Sequence, residues 1–245
     1  MKNTKRIALV TGSTRGIGKA IAIDFAENGL DIIVTGRDRT RLDNAQREIS
    51  KFGVEVHAVS ADLASDQGAD ELHNYLDDNE ISVDILVNNA AIIHPRMSLV
   101  DFEVSEWEKV IDVNLIAAMK LTKLVLPEMI RKNYGKIINI SSIGGRKGAA
   151  GRSAYRVTKA GLISFTESVA AEVKQSGIDV NCVCPGSVLT EGYVEAFGPQ
   201  EDGEVRMMDP VEIAKLCTFL ISPDSSAVTG ATIDAFGSTN PLFSS

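Results

Sequence analysis

The sequence predicts one α/β domain, a doubly wound sheet of about seven parallel strands with helices on both faces. Short β-branched runs alternate with longer amphipathic segments from end to end of the 245 residues. The runs are continuously apolar rather than alternating, as in strands buried on both faces, and helical crossovers then make the sheet parallel. No composition shift, low-complexity run or internal repeat marks a second domain.

The predicted strands are 7–10, 32–35, 54–59, 85–87, 136–140, 178–183 and 231–234. Between them the apolar periodicity predicts helices over 16–28, 40–52, 66–79, 105–131, 153–175 and 210–221. The segment 190–209, punctuated by Gly192, Gly198, Pro199 and Gly203, reads as a mobile loop over a site.

Composition narrows the function classes. The formal charge of −8 and a pI of about 5.0 argue against a nucleic-acid groove or an anionic membrane surface, both of which need clustered Lys and Arg. The apolar stretch 7–10 is too short for a signal-peptide core, and no run approaches a membrane span. The expectation is a soluble cytoplasmic protein. Cys182 and Cys184, two apart on one strand, face the same side and read as core residues, as does Cys217; their spacing fits neither zinc nor a redox pair. His57, His73 and His94 are scattered, and none is placed with a carboxylate at ligand spacing, so no metal is expected. Ser142 does not sit in a hydrolase nucleophile elbow.

The first strand runs into Gly12, Ser13, Thr14, Arg15, Gly16, Ile17 and Gly18, and a helix follows. Glycines allow a tight turn and close approach of backbone to a pyrophosphate, and the helix N-terminus offers unpaired N–H groups. The second strand ends in Thr35-Gly36-Arg37, with no carboxylate at its tip to grip a ribose 2′-hydroxyl. Asp38 follows one residue later and is expected to turn away. Arg37 and Arg15 make a cationic corner suited to a 2′-phosphate, which selects NADP(H) over NAD(H), the alternative.

Tyr155 and Lys159 stand one turn apart near the start of a long helix, on one face. An ammonium there, helped by oxidised nicotinamide, would lower the phenol pKa and make Tyr155 a proton donor and acceptor. Ser141 and Ser142 follow the strand 136–140 at its carboxyl end, where open α/β sheets bind ligands. Asn114, a poor helix former on an apolar face with Val110, Val113 and Ala117, needs a partner, which a site water linked to Lys159 would supply. His94 and Met97 are placed to line a substrate mouth.

With Thr11, Gly12, Gly16, Ile17, Gly18, Asp62, Leu63, Asn88, Asn89, Ala90, Asn114, Ser142, Tyr155, Lys159, Pro185, Gly186, Val188 and Thr190 in this order, the chain resembles a single-domain short-chain dehydrogenase/reductase with a Rossmann-type fold, over essentially its whole length. The resemblance implies that Ser142 polarises the carbonyl and that Tyr155 exchanges the proton. It implies that Lys159 binds the nicotinamide ribose and that Asn114 anchors a relay water. Asp62 and Leu63 would flank the adenine, Asn89 would support the cofactor ribose, Val188 and Thr190 would hold the carboxamide, and Ala90, Pro185 and Gly186 would also bind the cofactor. Three departures stand out: Ala91 where the family has glycine, Asp234-Ala235-Phe236-Gly237 near the last strand, and a shortened lid before Asp209.

Within the family the sequence is most similar to 3-oxoacyl-(acyl-carrier-protein) reductases. The helix positions that offer arginines to the carrier there are Asn133 and Ala171 here, which weakens docking of an acidic carrier. The expected substrate is a small ketone or secondary alcohol. Apolar residues beyond one stripe, Leu121, Leu124, Val125, Leu162, Phe165 and Val169, together with the resemblance, imply a homotetramer. The second reading is a nucleotide-binding regulator or scaffold without turnover.

Overall fold

The computed structural model describes residues 5–199 and 206–237. Within them lie β1 (Ile7–Val10), β2 (Asp31–Gly36), β3 (Val56–Ser60), β4 (Ile85–Asn88), β5 (Gly135–Ile140), β6 (Ile178–Pro185) and β7 (Thr232–Ala235), all parallel, in the order β3-β2-β1-β4-β5-β6-β7. The chain winds outward from β1 to β3 and then returns to place β4 on the other side of β1, with Val10 beside Val87. Connections leave β1 and β4 in opposite directions, and the crevice at their carboxyl ends is where such sheets bind ligands.

Continuous apolar strands fill two cores. Ala8, Val10, Ile32, Val34, Ile85, Val87 and Ile138 face one layer, while Leu9, Ile33, Leu86, Ile137 and Val180 face the other. Helices α1 (Gly16–Glu27), α2 (Arg39–Ile49) and α8 (Pro210–Ile221) cover the first. Helices α3 (Asp66–Asp78), α5 (Ala117–Lys132) and α6 (Ser153–Val173) cover the second.

Local chemistry sets the helix starts. Asp209 and Glu212 form a reciprocal capping box on α8 with Pro210 in its first turn. Asp38 accepts from Arg41 N at 2.9 Å and so caps α2, which is why it turns away from the tip of β2. Ser65 caps α3 in the same way.

The structure corrects the sequence reading in four places. The helix expected over 105–131 is broken: α4 (Val104–Ile111) passes into a π turn over Asp112–Ile116 before α5 begins. The expected loop contains a short helix, α7 (Glu191–Phe197), capped by Thr190; its residues 200–205 lie outside the described residues. Leu121, Val125, Leu162 and Val169, cited for a partner surface, are buried within this chain's own core. Two histidines do meet carboxylates, His57 with Glu55 at 3.3 Å and His73 with Asp77 at 3.6 Å. Among the described residues no three His, Cys, Asp or Glu groups converge as for a metal, and no helix is long and apolar enough to cross a membrane.

Candidate active site

A cleft of about 610 Å³ opens at the carboxyl ends of β1, β4, β5 and β6, within the range of cofactor sites. Gly12, Thr14, Arg15, Gly16 and Ile17 form one wall. Gly12 and Gly16 hold φ of +62° and +54°, a conformation that favours glycine. Gly18 packs under the turn: a Cβ there would stand 2.5 Å from the Gly12 carbonyl oxygen. Ser13 does not line the cleft. Its hydroxyl donates to Val10 O at 2.7 Å and accepts from Thr35 N at 3.0 Å, fastening the turn to β2. Helix α1 has no side-chain cap and no acidic residue in its first turn, so its free N–H groups and positive dipole end suit a pyrophosphate. The residues present therefore fit a dinucleotide.

Arg37 lines the cleft at the tip of β2, exposed, with Asp62 at 3.8 Å. Arg15 bonds Glu195 of α7, and that bond holds the Glu195 carboxyl below the usual range. Both arginines line the cleft, each facing one carboxylate. Leu63 and Asp62 line the adjoining wall. Asn89 and Ala90 are held by Thr11, whose hydroxyl accepts from both backbone N–H groups at 2.9 Å, while Asn89 Nδ2 donates to Thr11 O at 2.8 Å. Thr11, which the sequence marks only as part of the family-like motif, is a positioning residue. Ala91 is exposed in the cleft wall, so its methyl meets the cavity rather than the core. Pro185, Gly186, Val188 and Thr190 line the opposite side, with Val188 bridged to Met208.

Ser142, Tyr155 and Lys159 meet on the cleft floor. Ser142 Oγ accepts from Gly144 N at 2.9 Å, so its own hydrogen is the one it donates, as in its bond with Tyr155. Burial raises the Tyr155 pKa above that of free tyrosine, opposed by a hydrogen bond with Ser142. Lys159 Nζ donates to Ile140 O at 2.7 Å and lies 5.6 Å from the Tyr155 ring centroid. Burial brings its pKa down to about 8. Burial dominates both groups, and the charges that oppose it at Tyr155 are those of Arg152 and Arg156.

Asn114 lies just outside the main cleft, in the π turn. Its Oδ1 accepts from Ile92 N at 2.7 Å, and its Nδ2 donates to Ile92 O at 3.2 Å and Thr158 Oγ1 at 3.3 Å. Its amide is thus partnered by the Ile92 backbone and by the Thr158 hydroxyl. His94 is misplaced by the sequence reading. Its ring is buried edge-on against Phe102 and donates from Nδ1 to Pro95 O at 2.6 Å; Ile93 and Arg96, not His94, line the cleft. Met97 is likewise absent from the lining. Sequence reasoning also missed Arg152, Arg156, Tyr193 and Phe197, all lining the cleft. Only the position of the two arginines beside Tyr155 could have signalled them.

The fold and cleft define an open α/β enzyme with a dinucleotide crevice and a hydroxylic floor. The family model of short chain dehydrogenases matches residues 6–200. A 3-oxoacyl-(acyl-carrier-protein) reductase of Aquifex aeolicus is 39% identical, with 95% of this chain and 96% of that protein covered. The L-sorbose reductase of Gluconobacter frateurii, solved with NADPH and L-sorbose, superposes with a TM-score of 0.88 at 30% identity, over 96% of each chain. An actinorhodin polyketide ketoreductase variant with NADPH gives 0.87 at 30% identity, covering 97% of this chain and 98% of that one. The chain belongs to the short-chain dehydrogenase/reductase family, oxidoreductases of C=O and CH–OH groups.

Proposed function

We propose that this protein transfers a hydride between NADP(H) and a small ketone or secondary alcohol, working at neutral pH as a reductase. The observation that carries this is the meeting of the Ser142 hydroxyl, the Tyr155 phenol and the Lys159 ammonium on the floor of a cleft walled by an uncapped helix N-terminus. When bound, NADPH supplies the hydride to the carbonyl carbon. The turn from Gly12 to Gly18 would hold the pyrophosphate, Arg15 and Arg37 the 2′-phosphate, and Asp62 and Leu63 the adenine. Asn89, Ala90 and Lys159 would hold the riboses, and Pro185, Gly186, Val188 and Thr190 the carboxamide. The NADPH-bound structural relatives support this choice of cofactor.

Ser142 turns its hydroxyl hydrogen to the substrate oxygen as charge develops there. Tyr155, kept protonated by burial, gives that oxygen its proton, so the ketone gains hydride at carbon and proton at oxygen. Lys159, with pKa about 8, is charged at pH 7 and steadies the phenolate left behind. Asn114 positions the wall through Ile92; its relay to Lys159 is part of the same proposal. The Aquifex relative is named for carrier-linked substrates; the uncharged Asn133 and Ala171, at the helix positions that the resemblance assigns to the carrier, support a small free carbonyl compound instead. Assembly as a homotetramer belongs to this reading and is read by light scattering.

The test is NADPH oxidation over a ketone panel, with Tyr155→Phe alongside. The variant should lose turnover by about 10²-fold or more and still quench or enhance NADPH fluorescence on binding. Substantial remaining activity removes Tyr155 from its role, and NADPH binding without turnover of any ketone leaves the regulator reading.

A further inference from the structure

Three arginines converge at the end of the cleft that holds Tyr155, in a chain whose net charge is −8. Arg152 is 8% exposed. Its guanidinium lies 4.7 Å from the Tyr155 ring centroid and 4.8 Å from that of Phe197 in α7, and its Nη1 donates to His94 O. Arg156 follows one turn later on α6, with Arg156 N bonded to Arg152 O at 3.0 Å. Arg96 is brought to the same place from the loop after β4, because Met97 N donates to Gly151 O at 3.0 Å and Arg96 packs on Gly151. All three line the cleft.

No carboxylate among the described residues pairs with Arg96, Arg152 or Arg156; the acidic side chain nearest in sequence on α7, Glu195, is taken by Arg15. Like charges at i, i+4 repel, and a buried cation without a counter-charge is costly. Burial, foremost, and then the like charges of Arg156 and Arg96 hold the Arg152 pKa below its ordinary value, while the neighbouring phenol opposes them. Such a cluster is stable when an anion completes it, and a planar guanidinium suits a carboxylate or phosphate oxygen pair. The pyrophosphate and 2′-phosphate sites are accounted for by the glycine turn, Arg15 and Arg37. What remains beside the proton donor is the substrate.

Resting on the reductase reading above, we infer that Arg152, with Arg96 and Arg156, binds an anionic group carried by the substrate close to its reacting carbonyl, so that the enzyme takes short oxo acids, or oxo phosphates, in preference to neutral ketones. The anion sits on guanidinium edges beside Tyr155, and Phe197 of α7 closes over the other side. Arg152 then orients the carbonyl toward Ser142 and Tyr155 as well as binding its charge.

The experiment compares acetoacetate, methyl acetoacetate and dihydroxyacetone phosphate as substrates with NADPH, in the wild-type chain and in Arg152→Gln, Arg156→Gln and Arg96→Gln. Acetoacetate binding is measured in parallel by calorimetry with NADP⁺ present. The wild type should favour an anionic compound over the ester in kcat/KM by about 10- to 100-fold, the range of one or two charge-assisted hydrogen bonds. Preference for acetoacetate assigns a carboxylate, and preference for dihydroxyacetone phosphate a phosphate. Arg152→Gln should collapse the acid-to-ester ratio, and Arg96→Gln and Arg156→Gln should lower it; these two decide the matter if Arg152→Gln does not fold. Equal or better use of the ester, an unchanged ratio in the variants, or a loss of NADPH affinity that accounts for the whole effect overturns the inference. A chain that binds acetoacetate but reduces nothing keeps the anion site and loses the reductase reading. One that reduces only the ester keeps that reading and loses the site.

Discussion

Replacing Lys159 by methionine should make the protein more stable and inactive. The lysine is 2% exposed, its ammonium donates to Ile140 O at 2.7 Å, and no carboxylate helps to hold its charge. Burial takes its pKa from 10.5 to about 8, and at 1.36 kcal/mol for each tenfold change the folded state loses about 3 kcal/mol at pH 7 by keeping the charge. Methionine fills a similar volume without charge. It leaves the Ile140 carbonyl without this donor, a cost of about 1–2 kcal/mol, so the net gain is about 1–2 kcal/mol. Urea unfolding at one protein concentration reads it directly. The sign changes with pH in a defined way. Between about pH 8 and 10 the unfolded chain holds a proton that the folded lysine has released, so wild-type stability rises with pH there while the variant lacks that gain. The advantage of Lys159→Met should therefore shrink on going from pH 7 to pH 9.5. A variant less stable at pH 7, or a gap that stays constant to pH 9.5, would falsify the view that this ammonium is an unpaired buried charge.

Gly18→Ala puts a Cβ 2.5 Å from the Gly12 carbonyl oxygen; overpacking there should cost about 1–3 kcal/mol and weaken NADPH binding, and a fluorescence titration showing wild-type affinity would contradict the placement of the turn. For carbonyl reduction, kcat/KM should stay level from pH 6 to 8 and then fall as Lys159, with pKa about 8, loses its charge, because burial keeps Tyr155 protonated. A rate that climbs through pH 8–9 would mean that the charged lysine is not needed. Arg37→Asp should reduce the NADPH-to-NADH ratio of kcat/KM by about tenfold or more, and an unchanged ratio would take Arg37 out of the phosphate corner.

The sheet was legible because its central strands β1, β2 and β4 are apolar on both faces: Ala8 and Leu9 are neighbours in sequence yet belong to opposite cores. The glycine turn was legible because its spacing follows from backbone geometry. Side-chain direction was not. Ser13 stands within the turn but points back into β2, and His94 follows a strand end but turns inward to Phe102. Helix α7 was hidden by Gly192 and Gly198 on either side of a single apolar stretch, although Thr190 and Glu191 form an ordinary helix start. The arginine cluster depends on a tertiary bond, Met97 N to Gly151 O, which no local pattern announces.

The π turn at Asn114 shows how a local penalty serves the cleft. Asparagine is a poor helix former, and its amide must be satisfied where it is buried. In the widened turn it pairs with both the N–H and the carbonyl of Ile92, while Thr158, next to Lys159 on α6, takes its second amide hydrogen. One side chain thereby ties the strand exit that carries Ala90, Ala91 and Ile93 to the helix that carries Tyr155 and Lys159. Nearby, Asn88 Nδ2 donates to Asn139 Oδ1 at 2.8 Å and Asn139 Nδ2 to Thr166 Oγ1 at 2.8 Å, joining β4 and β5 to the same helix. These buried amides fix the relative position of the cofactor wall and the proton donor, which apolar packing alone would leave free to slide. A hydride and a proton delivered to adjacent atoms demand that the two walls stay in register, and the cost of burying three asparagines is offset by that constraint.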